Sequence, residues 1–369
     1  MGLFKFRKEL IEELLRNNND VVLLLPYGDY TEKMISMGCQ YKEVKISPHS
    51  TNPLKDLLLL KSYKKTIKMM KPDLVLTYTI KPNVYGGIAC SMLRVPYISN
   101  ITGLGSSIEN QGFLQKISLF LYRISLKKAS MVFFQNSKNL SFMLEKGIAV
   151  KKNKLLPGSG VNLTENRFED YPNLINGKIV FITIGRIIKD KGIDELLSAI
   201  DILKKQHSNI SFRLVGPVSK DYQKIINAAV ANHYIEYLGQ RDDVHELIKN
   251  SHATIHPSYH EGTSNVLLET AACGRPIIAS NIPGCNNTFD DQISGICFEP
   301  KNVLSLVNAI EKFISLSHEK KALMGENGRK KMEKEFDRNI VVQKYMEEIN
   351  KIENINNEGD KQWNFMKKF

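Results

Sequence analysis

Long apolar runs are missing from this 369-residue sequence. No stretch of 18 apolar residues occurs, so no segment reads as a membrane span. The opening MGLFKFRKEL has no apolar signal-peptide core, and Met1-Gly2 lacks the Ser or Thr of a myristoylation site. Cysteine is sparse: Cys39, Cys90, Cys273, Cys285 and Cys297 are odd in number, without C-x-x-C or His-paired metal spacing. They read as reduced thiols of a cytoplasmic protein. Asp-x-Asp is absent; Asp242-Asp243 and Asp290-Asp291 are adjacent pairs on loops and read as turn or cap residues, so no metal is expected. The Gly103-x-Gly105 run lacks its third glycine, position 108 being Ile, which excludes a dinucleotide fingerprint. Internal repeats and low-complexity tracts are also absent.

Charge is present but lopsided. Residues 1–160 hold 24 Lys and Arg against 11 Asp and Glu, a net of +13, whereas residues 161–369 hold 27 against 28. A half this basic points to an anionic partner: nucleic acid, anionic lipid or a phosphate-bearing acceptor. No nucleic-acid motif or stacking platform accompanies the charge, which argues against nucleic acid. Lys61, Lys64, Lys65 and Lys68 recur at helical spacing as one basic stripe. The segment 112–128 mixes Phe113, Leu114, Ile117, Phe120, Leu121 and Ile124 with Lys116, Arg123, Lys127 and Lys128. Each alone fits an ordinary solvated crossover helix; together they favour a peripheral contact with the inner face of the cytoplasmic membrane.

Strand-like runs alternate with amphipathic helices, the pattern of parallel α/β sheets. Strands are expected at 21–25, 74–78, 97–101 and 131–135, then at 179–184, 211–215, 235–238, 253–256 and 276–279. Helices are expected at 5–17, 54–70, 85–93 and 112–128, then at 189–204, 221–232, 244–249, 264–273, 304–316 and 319–335. The segment 157–177, with two prolines and three glycines, reads as a linker. The expected domains are 1–160, 178–340 and a terminal helix and tail, 341–369, that returns to the first.

Two glutamates eight positions apart, Glu261 and Glu269, follow the strand Ala253-Thr254-Ile255-His256 and its closing Pro257-Ser258. Gly262, Thr263, Ser264 and Asn265 open an apolar helix that stops at Gly274. Glu261 then sits on the loop, beside the unpaired N–H groups and positive dipole end of the helix, a place suited to an anionic group such as a diphosphate. Glu269, two turns on, can accept from two vicinal hydroxyls. Upstream, the buried-strand run 180–184 leads into Gly185-Arg186-Ile187-Ile188-Lys189-Asp190-Lys191-Gly192 and then a helix. Such strand-to-helix loops bind ligands in open α/β sheets. Arg186 and Lys191 are its permanent cations. Either motif alone is an acidic turn or a charged loop; together they are specific.

The two motifs closely resemble the EX₇E signature and the upstream GR-x₄-KG loop of glycosyltransferase family 4. The resemblance implies a GT-B fold, two Rossmann-like domains facing an interdomain cleft, and a retaining, metal-independent enzyme with no cofactor beyond its nucleotide-sugar donor, expected to be UDP-linked. It further implies that Glu261 faces the donor sugar while Arg186 and Lys191 carry the leaving diphosphate. Gly185, Gly262, Thr263, Ser264 and Asn265 would line the donor site, and Glu269 would bind the ribose. The turn Gly158-Ser159-Gly160-Val161-Asn162 resembles the family's turn at the cleft floor.

In the first half, the runs Thr77 to Gly87 and Asn100 to Ser107 resemble bacterial transferases that extend polyprenyl-diphosphate-linked glycans, N-acetylgalactosaminyltransferases among them. Lys81, Asn83, Gly103 and Gly105 are the acceptor-side candidates. Ile80 stands where such enzymes carry a His, so the chemistry there differs. Family members begin with a strand and a glycine-rich loop, whereas Met1 to Arg7 aligns with the start of their first helix. A missing central strand would expose two sheet edges, which favours Met1 as an internal start over a domain that lacks the strand. The expected activity is transfer of a hexosyl or N-acetylhexosaminyl group to a lipid-linked glycan of a bacterial surface polysaccharide (O-antigen or capsule) or glycoprotein. The rivals are a sugar-nucleotide epimerase on the same fold and an inactive assembly partner.

Overall fold

The structure is a computed structural model that describes residues 2–46, 52–104 and 112–366, with side chains described to residue 354. The chain divides into two units: Met1–Ser159 with Asn339–Phe369, and Gly160–Arg338.

Unit 1 runs α1 (Gly2–Arg16), β1 (Val22–Leu25), α2 (Thr31–Ser36), β2 (Gln40–Glu43), α3 (Pro53–Met70) and β3 (Val75–Tyr78). It continues through a π turn at Pro82–Gly86 into α4 (Gly87–Leu93), β4 (Tyr97–Ile101), α5 (Phe113–Leu126), β5 (Met131–Phe134), α6 (Ser137–Glu145) and β6 (Asn153–Leu155). Strands β3-β4-β5-β6 form one parallel sheet and β1-β2 a separate parallel pair. Among the described residues no strand precedes α1, and β1 and β3 each keep one edge unpaired.

α3 shows how local sequence sets an element. Asn52 caps it through its side-chain oxygen, which accepts from the Leu54 N–H at 2.9 Å; Pro53 occupies the first turn; and Lys71 closes it in the left-handed conformation. Its buried face, Leu59, Tyr63 and Ile67, packs with Ala89, Cys90, Tyr122 and Leu126 over β3–β6. On the other side, Leu10 of α1 joins Ile98, Phe133, Val341, Tyr345 and Ile349. Those last three belong to the terminal helix α14, Arg338–Met366. Buried Asn100 donates from its side-chain amide to the Tyr345 hydroxyl at 2.6 Å, while the Phe133 and Tyr345 ring centroids lie 4.6 Å apart.

Unit 2 comprises β7 (Ile179–Ile184), α7 (Ile193–Gln206), β8 (Ile210–Val215), α8 (Gln223–Ala231), β9 (Glu236–Tyr237), α9 (Val244–Lys249) and β10 (Ala253–His256). It is completed by α10 (Asn265–Ala272), β11 (Ile277–Ser280), α11 (Pro283–Asn286), β12 (Gly295–Phe298), α12 (Val303–Ser315) and α13 (His318–Lys331). All six strands are parallel in the order β12-β11-β10-β7-β8-β9. From β7 the chain winds outward through β8 and β9, then crosses back to β10 and winds the other way. The switch point therefore lies between the carboxyl ends of β7 and β10.

Of the segment 157–177, expected as a linker, residues 160–177 instead belong to unit 2. Arg275 is almost fully buried and donates to the carbonyls of Glu169 (2.7 Å), Asp170 (2.8 Å) and Lys249 (2.9 Å). A buried guanidinium with five N–H groups must find acceptors, and this segment supplies the Glu169 and Asp170 carbonyls beside that of Lys249. Composition marked the segment as irregular, which it is, but irregular backbone can still be held in place. All five cysteines are free, and no described helix is long and apolar enough to cross a membrane.

Tyr345→Phe should strand the buried Asn100 amide at a cost of roughly 1–3 kcal/mol. Amide exchange protection should fall in β4 and β5 and stay unchanged in unit 2.

Candidate functional site

The loops after β7 and β10 flank the switch point and are fastened together. The Tyr259 N–H donates to the Asp190 carbonyl at 2.9 Å, and the Ser258 hydroxyl reaches the same oxygen at 3.4 Å. Gly192 has φ +66, and a Cβ there would run into the Pro257 carbonyl. Gly284, at the start of α11, lies so close to Glu261 that a Cβ would overlap its backbone and Cβ. The Ser264 N–H donates to the Gly284 carbonyl at 3.0 Å, which fixes the entry to α10 from the β11 side. Three separate elements thus hold the Glu261 loop.

At the bottom of this arrangement Glu261 accepts from two donors. Lys191 Nζ pairs with Glu261 Oε1, and His256 Nε2 lies 2.8 Å from the same oxygen. Burial pushes the Glu261 carboxyl upward, but the His256 hydrogen bond and charge, with those of Lys191, outweigh it and bring it down to about 2. The group is a carboxylate at neutral pH, so the shared proton must sit on His256 Nε2. The Ser264 hydroxyl, 3.2 Å from Nε2, is the ring's other polar neighbour. His256 is 4% exposed, whereas Arg186 is exposed and makes no ion pair among the described residues. A pocket at the carboxyl end of β7 is lined by Thr183, Gly185, Arg186, Lys191, His256 and Pro257.

The expected donor-side residues therefore come together on one unit. Gly185, Arg186 and Lys191 occupy the first loop, Glu261, Gly262 and Thr263 the second, and Ser264 and Asn265 the start of α10. Glu269 is half-buried on α10, one helical turn and more beyond Asn265. His256 and Gly284 were not singled out from sequence. A His ending a buried strand reads as core, and the Gly284 contact spans a fold-level distance that no local pattern encodes.

In unit 1, Lys81 forms an ion pair with Asp56 of α3 at 2.6 Å, and the Tyr85 hydroxyl donates to the other Asp56 oxygen at 2.9 Å. Asn83 is buried and its amide donates to the Asn100 carbonyl at 2.8 Å, so it ties the π turn to β4 instead of facing solvent. Gly103 follows β4 with open space where a Cβ would be. Gly105 lies outside the described residues. The adjacent acids serve local structure: Asp243 takes both Arg241 donors at 2.8 and 2.6 Å, Asp290 pairs with Lys331 at 3.0 Å, and Asp291 accepts from the Cys297 N–H at 2.8 Å.

Two parallel α/β units, with cations and a carboxylate at the switch point of the second, give the chain the architecture of the GT-B class. Residues 4–136 match the family model "Glycosyl transferase 4-like" and residues 165–331 match "Glycosyl transferases group 1", and the chain belongs to these glycosyltransferases. It is 27% identical to the N,N'-diacetylbacillosaminyl-diphospho-undecaprenol alpha-1,3-N-acetylgalactosaminyltransferase of Campylobacter jejuni, over 95% of this chain and 96% of that one. It is also 27% identical to the capsular polysaccharide biosynthesis glycosyltransferase CapM of Staphylococcus aureus, over 78% and 81%. Its fold is similar to that of HepE from Anabaena, solved with UDP and glucose, with a TM-score of 0.76 at 19% identity, covering 92% of this chain and 94% of that one.

The carboxylate at 261 makes a signed prediction. Its folded value lies below the ordinary 4.5, at about 2. Its contribution is complete above pH 4.5 and is lost as pH falls toward 2, a difference on the order of 3 kcal/mol. Glu261→Gln should flatten that part of the acid limb in a pH-dependent unfolding series. His256→Ala should move the Glu261 titration upward by carboxylate NMR, while His256→Gln, which keeps a donor near the Nε2 position, should move it less. An unmoved titration in both would remove His256 as the proton donor.

Gly192→Ala should also cost more stability than Gly239→Ala. Both glycines have positive φ, +66 and +70, but a Cβ at 239 meets nothing within 4 Å. The control carries only the left-handed penalty of roughly 1–2 kcal/mol, and a larger fall in melting temperature at 192 would measure the loop contact.

Proposed function

We propose that this chain transfers a hexosyl or N-acetylhexosaminyl group, with retention, from a UDP-sugar to a polyprenyl-diphosphate-linked glycan. The setting would be assembly of a bacterial surface polysaccharide (O-antigen of lipopolysaccharide, or capsule) or a glycoprotein glycan, on the inner face of the cytoplasmic membrane. The observation that carries the reading is the Lys191–Glu261–His256 cluster with Arg186 open beside it at the switch point of unit 2. Support for the acceptor comes from the names of the two sequence relatives, one acting on a diphospho-undecaprenol sugar and one in capsule synthesis.

The diphosphate would sit against Arg186, the Lys191 protons not spent on Glu261, and the N–H groups at the start of α10. As the bond from the anomeric carbon to the diphosphate breaks, its electron pair stays on the phosphate oxygen, where these fixed positive groups stabilise it. The acceptor hydroxyl oxygen bonds to the anomeric carbon from the same face, and its proton passes to the departing phosphate. Glu261, already ionised, lies where it can stabilise positive charge on the sugar. Glu269 holds the ribose hydroxyls of the donor. No metal is required in this scheme, since the cations are built in.

Glu269→Ala should raise the donor KM roughly 10- to 150-fold, the loss of hydrogen bonds to a charged group. Arg186→Ala and Lys191→Ala should lower kcat instead, each by roughly 10²–10³-fold. The assay pairs a nucleotide-sugar panel with a lipid-diphosphate sugar, and activity should persist in EDTA. Activity lost in EDTA and restored by Mg²⁺ or Mn²⁺ would overturn the built-in clamp. An unchanged KM would remove Glu269 from the donor site.

A further inference from the structure

Helix α5 has two apolar faces where a crossover helix needs one. Tyr122 and Leu126 are buried in the core of unit 1, with Leu119 and Leu121 packed beside them. On the opposite side Phe113, Ile117, Phe120 and Ile124 follow one another at i, i+4, i+7 and i+11 and are 77%, 40%, 59% and 42% exposed. At 1.5 Å per residue that stripe is about 16 Å long. Exposed Lys116, Arg123 and Lys127 run along one flank of it. From residue 112 to residue 144 there are five Lys and Arg and no Asp or Glu.

The neighbouring helices continue the surface. α4 packs against both α3 and α5, and all three cover the same core. The outer side of α3 exposes Leu54, Leu57 and Leu58 in its first turns and Lys61, Lys64, Lys65 and Lys68 in its later ones. Together the three helices hold 11 of the 23 exposed large apolar side chains among the described residues. Scattered exposed apolar residues need no explanation, but a continuous, cation-rimmed stripe does.

We propose that this face is a bilayer-inserting surface. α5 lies in the plane of an anionic leaflet, its Phe113–Ile117–Phe120–Ile124 stripe enters the acyl boundary, and the cations of α5 and α3 meet the lipid headgroups. The occupant follows from charge. A second copy of the chain would bring two faces of the same positive sign together, which opposes association. Anionic lipid neutralises that charge and offers hydrocarbon to the stripe. The proposal names the element behind the membrane location in the reading above, but sugar transfer itself does not depend on it.

Replacing Trp363, the sole tryptophan, by Phe and then Phe120 by Trp gives a single reporter on the stripe. With vesicles of phosphatidylcholine and phosphatidylglycerol carrying brominated acyl chains, its emission should shift to the blue and be quenched. Vesicles of phosphatidylcholine alone should do neither at the same lipid concentration. Ile117→Glu with Ile124→Glu should weaken partitioning by roughly tenfold or more per substitution. Circular dichroism should stay unchanged, and the rate with a short, water-soluble acceptor should stay at the wild-type value.

An unquenched reporter on vesicles that bind the protein through the α3 lysines would overturn insertion. A blue-shifted reporter without lipid, in a protein that sediments as a dimer, would give the face to a second copy and also overturn it. Quenching that survives in a protein showing no sugar transfer to any acceptor would support insertion while removing the proposed function.

Discussion

Strand order is the constraint on which the second unit depends. β7 has β8 on one side and β10 on the other, and the chain winds away from it in both directions. The loops leaving β7 and β10 must diverge above the sheet, and the gap between them is the place a ligand can enter without displacing a crossover helix. Gly192 and Gly284 let backbone close in from both sides of that gap, so Glu261 is supported by three elements instead of standing on a free loop. A carboxylate fixed in this way needs its charge answered from within reach. Lys191, on the loop after β7, and His256, at the end of β10, answer it.

Much of this was legible in the sequence because it rests on local rules. The largely apolar run 179–184 and the short run 253–256 read as buried strands, and the glycine and serine clusters after them read as loops. Those two facts place Arg186, Lys191 and Glu261 on one edge of a sheet. Among the described residues unit 1 holds a parallel pair, β1-β2, and a separate four-stranded parallel sheet, β3-β4-β5-β6.

What was not legible depends on partners far along the chain. β2, Gln40–Glu43, is short, polar and largely exposed, and β6, Asn153–Leu155, is only three residues long and half-buried, so neither periodicity nor hydrophobicity marks them. β12 opens on a glycine, an ordinary breaker, and is a strand because Gly295 must pass close beneath Phe289 and Ile277. His256 is one of two buried histidines, with His252, until the fold brings Glu261 to its Nε2. The 157–177 segment reads as a linker until Arg275, more than a hundred residues from Glu169 and Asp170, is seen to bind their carbonyls. Asn83 looked like a loop residue available to a ligand, but its amide is consumed by the Asn100 carbonyl.

The terminal helix carries a consequence for how the chain is made. Asn100 and Tyr345, which share a buried hydrogen bond, are 245 residues apart in sequence. On the ribosome the second unit, a continuous stretch, emerges whole before the first can be finished. During that interval Ile98 and Phe133 lack the side chains that later cover them, and the first unit waits as an incomplete core. Closing so long a loop is entropically costly and slow. A helix synthesised after the whole second unit is thus the one that covers the first sheet, and a ribosome that stops short of residue 345 releases a chain with one finished half and one exposed one.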